Sequence, residues 1–166
     1  MSQPADPEVW LRGPLPDVIP ELQPVVHSLM QVREEIAAAT IPVDKLWTRP
    51  GGAASIGFHL LHLAGSLDRL LTYARGKTLN AAQRAALEAE AREDATSRPE
   101  DLVRRALEAI DTAIVQVRTT PLCTLDEARE VGRGRLPSTV LGLLFHAAEH
   151  AQRHSAQIIT TRKVIG

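Results

Sequence analysis

The sequence predicts an all-α fold: a four-helix bundle with an extra short helix and a long loop before the last helix. Three observations lead there. Apolar residues recur at three-to-four spacing over four long stretches. Aromatics make up only 3% of the chain while Ala, Leu and Arg are abundant, a balance that favours helix over strand. No alternating strand pattern of useful length and no internal repeat interrupts them.

The elements follow in order. The first sixteen residues carry four prolines and read as an irregular N-terminal arm over 1–17. A first helix is expected from about Pro20 to Ala39, with Leu22, Val25 or Val26, Leu29 and Ile36 on its apolar side. Pro24 falls early in it, where a missing N–H is tolerated. The run IPVDKLWTRPGGAAS is a connection ending in a Pro-Gly-Gly break. A second helix from about Ala54 to Arg75 presents Ile56, Leu60, Leu63 and Leu67 as a core stripe and is stopped by Gly76. Asn80 caps a short helix through AAQRAALEAEAR, whose alanines and charges mark a surface element. Ser97, Pro99 and Glu100 start the next helix, and Leu102, Ala106, Ile110, Ile114 and Val117 carry it on. TTPLCTLDEAREVGRGRLPST is then a loop of about twenty residues, a length that in a compact domain is functional or disordered. The last helix begins at Ser138 or Thr139 and reaches about Thr161.

Bulk properties narrow the function classes. A chain of 166 residues, 44% hydrophobic and 23% charged, suits a single globular domain over 1–166. A net charge of −1 gives no general attraction to nucleic acid or to an anionic membrane, so neither is expected as a partner. No apolar run approaches the roughly 18 residues of a membrane span, and MSQPADPEVWLRGPLP lacks the basic and apolar regions of a signal peptide. The expected compartment is cytoplasmic. Cys123 is the only cysteine, so no intrachain disulfide is possible and a metal site must rely on histidine with carboxylate or water.

Histidines carry the chemistry. Five of the six lie in two clusters, His59 and His62 in GFHLLHLAGSLDRLL and His146, His150 and His154 in HAAEHAQRH. With Val140 at 0° on a helical wheel, the apolar Leu144, Ala147, Ala151 and Ile158 fall between about 340° and 40°. His154 lies near 320°, His150 near 280° and His146 near 240°, so the first two flank the core and the third drifts toward solvent. An i, i+4 pair of this kind holds one metal ion in helical HExxH zinc sites, though the glutamate of that motif is missing here. A lone pair is as readily a polar helix edge. The second cluster strengthens the metal reading, because bundles build metal sites from facing helices. The wheel does not choose between His59 and His62.

SIGFHLLHLAGSLDRLLTYARG, taken with LPSTVLGLLFHAAEHAQRHSAQI, resembles the DinB/YfiT-like superfamily of metalloenzymes over most of the chain. The resemblance rests on a second-helix motif S-I-G-W-x-x-x-H-[IL]-A and a last-helix motif H-x-x-x-H-x-G-Q. It implies a DinB-type four-helix bundle and a metal held by His62, which follows Ser55, Ile56, Gly57 and Phe58, with His150 and His154. His59 and His146 are then extras. Ala156 stands where the family has glycine, and Gln157 is retained. The implied site is three neutral imidazoles with an open position, suited to zinc or nickel, with iron or cobalt also compatible. By the same resemblance the protein is a metal-dependent enzyme, a thiol-dependent S-transferase or a hydrolase. It would take a low-molecular-weight thiol and an electrophilic substrate and assemble as a homodimer. The competing expectations are a non-catalytic dimeric stress or interaction bundle with an empty metal site, and a bis-histidine haem bundle.

Supporting residues are weaker. Arg129, Arg133 and Arg135 could clamp a carboxylate, but Asp126, Glu127 and Glu130 beside them favour a solvated loop. Glu149 could orient a ligand histidine, yet its wheel position faces solvent. Asp68 and Arg69 form no recognisable catalytic pair, Tyr73 is expected half-buried, and Cys123 is an ordinary loop residue.

Overall fold

The computed structural model describes residues 7–166. Within the expected N-terminal arm, Val9–Arg12 forms a 3-10 turn with Val9 buried, and residues 1–6 lie outside the described part. Four long helices make the bundle: α1 (Gln23–Ala37), α2 (Ile56–Ala74), α4 (Pro99–Arg118) and α5 (Val140–Ile165). The short α3 (Ala81–Ala89) lies along α2. α2 packs against α5 and α4, and α1 packs against the same two, so the consecutive helices α1 and α2 stand on a diagonal.

Each helix boundary has a local cause. A 3-10 turn at Pro20–Leu22 leads into α1, which begins at Gln23 rather than Pro20 and places Pro24 in its first turn. Ser55 caps α2 by accepting a hydrogen bond from the Phe58 amide at 3.2 Å. Gly76, at φ 70°, ends it: its amide reaches back to the Tyr73 carbonyl, and that of Lys77 to Thr72. Asn80 and Gln83 form a reciprocal capping box at the start of α3. Pro99 opens α4 with Glu100 and Asp101 in the first turn, where carboxylates face the positive end of the helix dipole. Thr139 caps α5, which continues past Thr161 to Ile165 with Arg162 and Lys163 suited to its negative end.

The core is one cluster of aliphatic side chains, with Leu29, Ile36, Leu60, Leu63, Ile110, Leu144 and Ile158 fully buried among them. The connection from α1 to α2 is pinned into it by Leu46, whose carbonyl accepts from the Gly57 amide at 2.9 Å.

The segment before α5 corrects the sequence reading. It is a β-hairpin, not an irregular loop: β1 (Ala128–Val131) pairs antiparallel with β2 (Leu136–Thr139), Ala128 opposite Thr139 and Val131 opposite Leu136. Positive φ at Gly132 and Arg135 turns the chain. Neither strand buries a hydrophobic face, so no apolar alternation announced them. The Arg129 guanidinium secures the hairpin by donating to the Ala74 carbonyl at 2.8 Å. Among the described residues no helix is long and apolar enough to cross a membrane.

Candidate metal centre

The capped starts of α2 and α5 set the histidines in phase. His59 and His62 lie one and two turns into α2, and His150 and His154 sit midway along α5. α5 is held on its other side by α1, where Gln152 donates to the Ser28 carbonyl at 3.1 Å and Ser155 donates to Glu35. That leaves His150 and His154 toward α2. The two helices run antiparallel here, since His59 meets His154 while His62 meets His150.

His62, His150 and His154 each offer a ring nitrogen, and these atoms all lie within 4.8 Å of one another. His62 Nε2 and His150 Nε2 are 3.1 Å apart. Two nitrogens bound to one tetrahedral zinc at about 2.0–2.1 Å would themselves stand about 3.3 Å apart, so the pair already has nearly the span that a shared ion imposes. The donor set is all imidazole, and His150 Nδ1 is buried with no hydrogen-bond partner. An all-nitrogen donor set of this kind suits a transition-metal ion.

Ring orientation is fixed from behind. Glu90 Oε2 lies 2.7 Å from His62 Nδ1. A carboxylate only accepts, so the N–H of His62 sits on Nδ1, and the neutral ring carries its lone pair on Nε2. Arg69 holds the same carboxylate by donating from both terminal guanidinium nitrogens. His59 Nδ1 approaches His154 Nδ1 to 2.9 Å, giving that ring a partner of its own. Phe58 stacks on His62 with ring centroids 5.3 Å apart.

Electrostatics hold three of the rings in the neutral form. Burial, reinforced by His150, His62 and His59, pushes His154 down to about 3. Burial and then His62 and His146 push His150 down to about 4. His59 is lowered too, by burial and then by His62. For Glu90 burial acts upward, but hydrogen bonds and charge from His62 and Arg69 outweigh it, leaving the carboxyl below its ordinary value. Neutral imidazoles are the form that binds metal.

The remaining sequence expectations sort as follows. The structure brings His62, His150 and His154 together and buries His59 beside them, while His146 is exposed and pairs with Glu149. Glu149 does not orient a member of the three: it binds His146 and Arg153 on the outer side of α5. The carboxylate that does was missed. Glu90 was read as part of a surface helix, but it is only 5% exposed. Arg69, which forms no pair with Asp68, is its clamp. Asp68 receives Gln83 instead. Arg135 pairs with Glu130 in solvent, as the solvated-loop reading expects, whereas Arg129 pairs with Glu127 but is partly buried and bound to the Ala74 carbonyl. Tyr73 is half-buried; Cys123, Ala156 and Gln157 are exposed. A haem between the two helices would need its own slot, and α2 and α5 instead pack directly with their imidazoles in contact.

A bundle whose facing helices converge three imidazoles belongs to the class of helical proteins that can hold a metal ion between their helices. The chain belongs to the DinB superfamily, whose family model matches residues 29–158. That span includes the four long helices in whole or large part and all three imidazoles. No curated protein matches the sequence.

Proposed function

We propose that this protein is a metal-dependent enzyme, a thiol-dependent S-transferase or a hydrolase, with the ion held by His62, His150 and His154. The observation that carries the reading is the convergence of three ring nitrogens within 4.8 Å, from two helices, with His150 and His154 held neutral by burial. Three imidazole nitrogens suit zinc or nickel, and iron or cobalt are compatible. When bound, such an ion supplies Lewis acidity, which lowers the pKa of a water or thiol at its open position.

The chain's own contributions are positional. His154 anchors the inner side of the site, and His62 and His150 are only partly buried, so a ligand can approach from the solvent side. That openness supports a catalytic rather than a closed structural site. Phe58 covers one face of the His62 ring. A low-molecular-weight thiol, an electrophilic co-substrate and a homodimeric assembly belong to the same reading; sedimentation of the native protein tests the last.

Elemental analysis of untagged protein, beside His62→Ala and His150→Ala, is the deciding experiment. About one zinc or nickel per chain, lost in both variants, is the expected result. No metal after incubation with zinc and nickel would overturn the reading and leave a non-catalytic interaction bundle in its place.

A further inference from the structure

Glu90 is an unusual residue to find inside. It caps the C-terminus of α3, a helix none of whose nine residues is buried, yet its own side chain is 6% exposed. A buried carboxylate is costly unless charge and hydrogen bonds compensate it. Here the compensation comes from His62 Nδ1 at 2.7 Å and from both terminal nitrogens of Arg69. α2 also gives up a side chain to admit it. Gly65 lies in the interior of that helix, where glycine is unfavourable relative to alanine, and a Cβ there would overlap Glu90 Oε1 and crowd Arg69. Three residues of one helix, at positions 62, 65 and 69, thus form a socket for one carboxylate brought by another.

We propose that Glu90 is the positioning residue of the metal site, seated by Arg69 in the space left at Gly65. It fixes His62 with its proton on Nδ1 and its lone pair on Nε2, the nitrogen that faces His150. The inference rests on the metal-site reading and deepens it. A carboxylate behind a ligand imidazole selects the tautomer, holds the ring plane and makes the ligand nitrogen more basic. Without Glu90, His62 can rotate or carry its proton on Nε2, and the ligand set must be reorganised before an ion binds. Its neighbours are served differently: His154 is backed by His59, and His150 Nδ1 has no partner at all. Glu90 is therefore the only carboxylate among the described residues to grip one of the three rings.

Two measurements test this. Long-range 15N–1H correlation spectra of the native, metal-free protein at neutral pH read the His62 tautomer directly. The Nδ1–H form is expected, and a predominant Nε2–H form overturns the proposal whatever any variant does. Zinc affinity by competition with a chromogenic chelator is then compared for native protein, Glu90→Gln, Arg69→Met and His62→Ala. Glu90→Gln is expected to weaken binding about 10- to 100-fold, with Arg69→Met weaker than native as well. Native affinity in Glu90→Gln, with binding lost in His62→Ala, refutes the role of Glu90 and leaves the metal site standing. Native affinity in His62→Ala refutes both. Should Glu90→Gln fail to fold, the tautomer of the native protein decides.

Discussion

Acidifying the metal-free protein from pH 7 to pH 5 sets two imidazoles against the fold. His154 is held down to about 3 and His150 to about 4, from an ordinary 6.5. Above pH 6.5 both are neutral whether the chain is folded or not, and they carry no acid penalty. As the pH falls below that value the unfolded chain takes up a proton at each, while the folded chain takes none until about pH 4 and then about pH 3. Stability is therefore lost from about pH 6.5 downward, and the loss levels off below about pH 3. Between pH 7 and pH 5 each imidazole removes at most about 1.9 kcal/mol. His150 is partly exposed, and discounting it for solvent leaves about 2 to 3 kcal/mol for the pair. Urea unfolding of chelator-treated protein at the two pH values reads this loss, and His154→Leu should shrink it by about 1 to 2 kcal/mol. An identical pH dependence in native protein, His150→Leu and His154→Leu would refute the argument, because the acid sensitivity would then arise elsewhere.

Three other outcomes are expected. Gly57→Ala brings a Cβ to 2.5–2.7 Å from the Trp47 ring; overpacking of this kind costs about 1 to 3 kcal/mol, and an unchanged urea midpoint would contradict it. Leu144→Ala empties a site that is 0% exposed and should cost about 2 to 5 kcal/mol; a loss under about 1 kcal/mol would mean the bundle closes over the gap. Zinc at a thousandfold excess over its dissociation constant should add about 4.1 kcal/mol to the stability of the apo-protein. The gain should vanish in His62→Ala, and calorimetry with and without chelator reads both; an equal gain in the variant would place the ion elsewhere.

Much of this molecule was legible in its residues. The apolar periodicity of Leu60, Leu63 and Leu67, or of Ile110, Ile114 and Val117, is imposed by burial on one side of a helix, and all six are buried. The wheel likewise set His150 and His154 beside the core and His146 outside it. His59 and His62 stand about 60° apart on the helix, but phase alone could not rank them because what separates their roles is partners on other helices: one meets His154, the other meets both His150 and Glu90. Glu90 escaped because its partners lie 28 and 21 residues away and its own helix, made mostly of alanine and polar residues, buries none of its side chains. The available clue was Gly65. A glycine inside an otherwise strong helix marks close approach by something, and here it is a carboxylate. The hairpin was hidden because its outward residues are tied by ion pairs such as Arg135–Glu130, which leave no hydrophobic signature.

The sequence distance between the two halves of the cluster has a consequence for biosynthesis. His62 and His150 are separated by 88 positions, and His59 and His154 by 95. A growing chain that has completed α1 to α4 owns one half of the site and a ready-made carboxylate, but no second imidazole row to close it. Only when α5 emerges and docks does the ion-binding geometry exist. On the proposed metal-site reading, an ion would therefore not template the early collapse of this bundle but would close a site that exists only once α5 has packed.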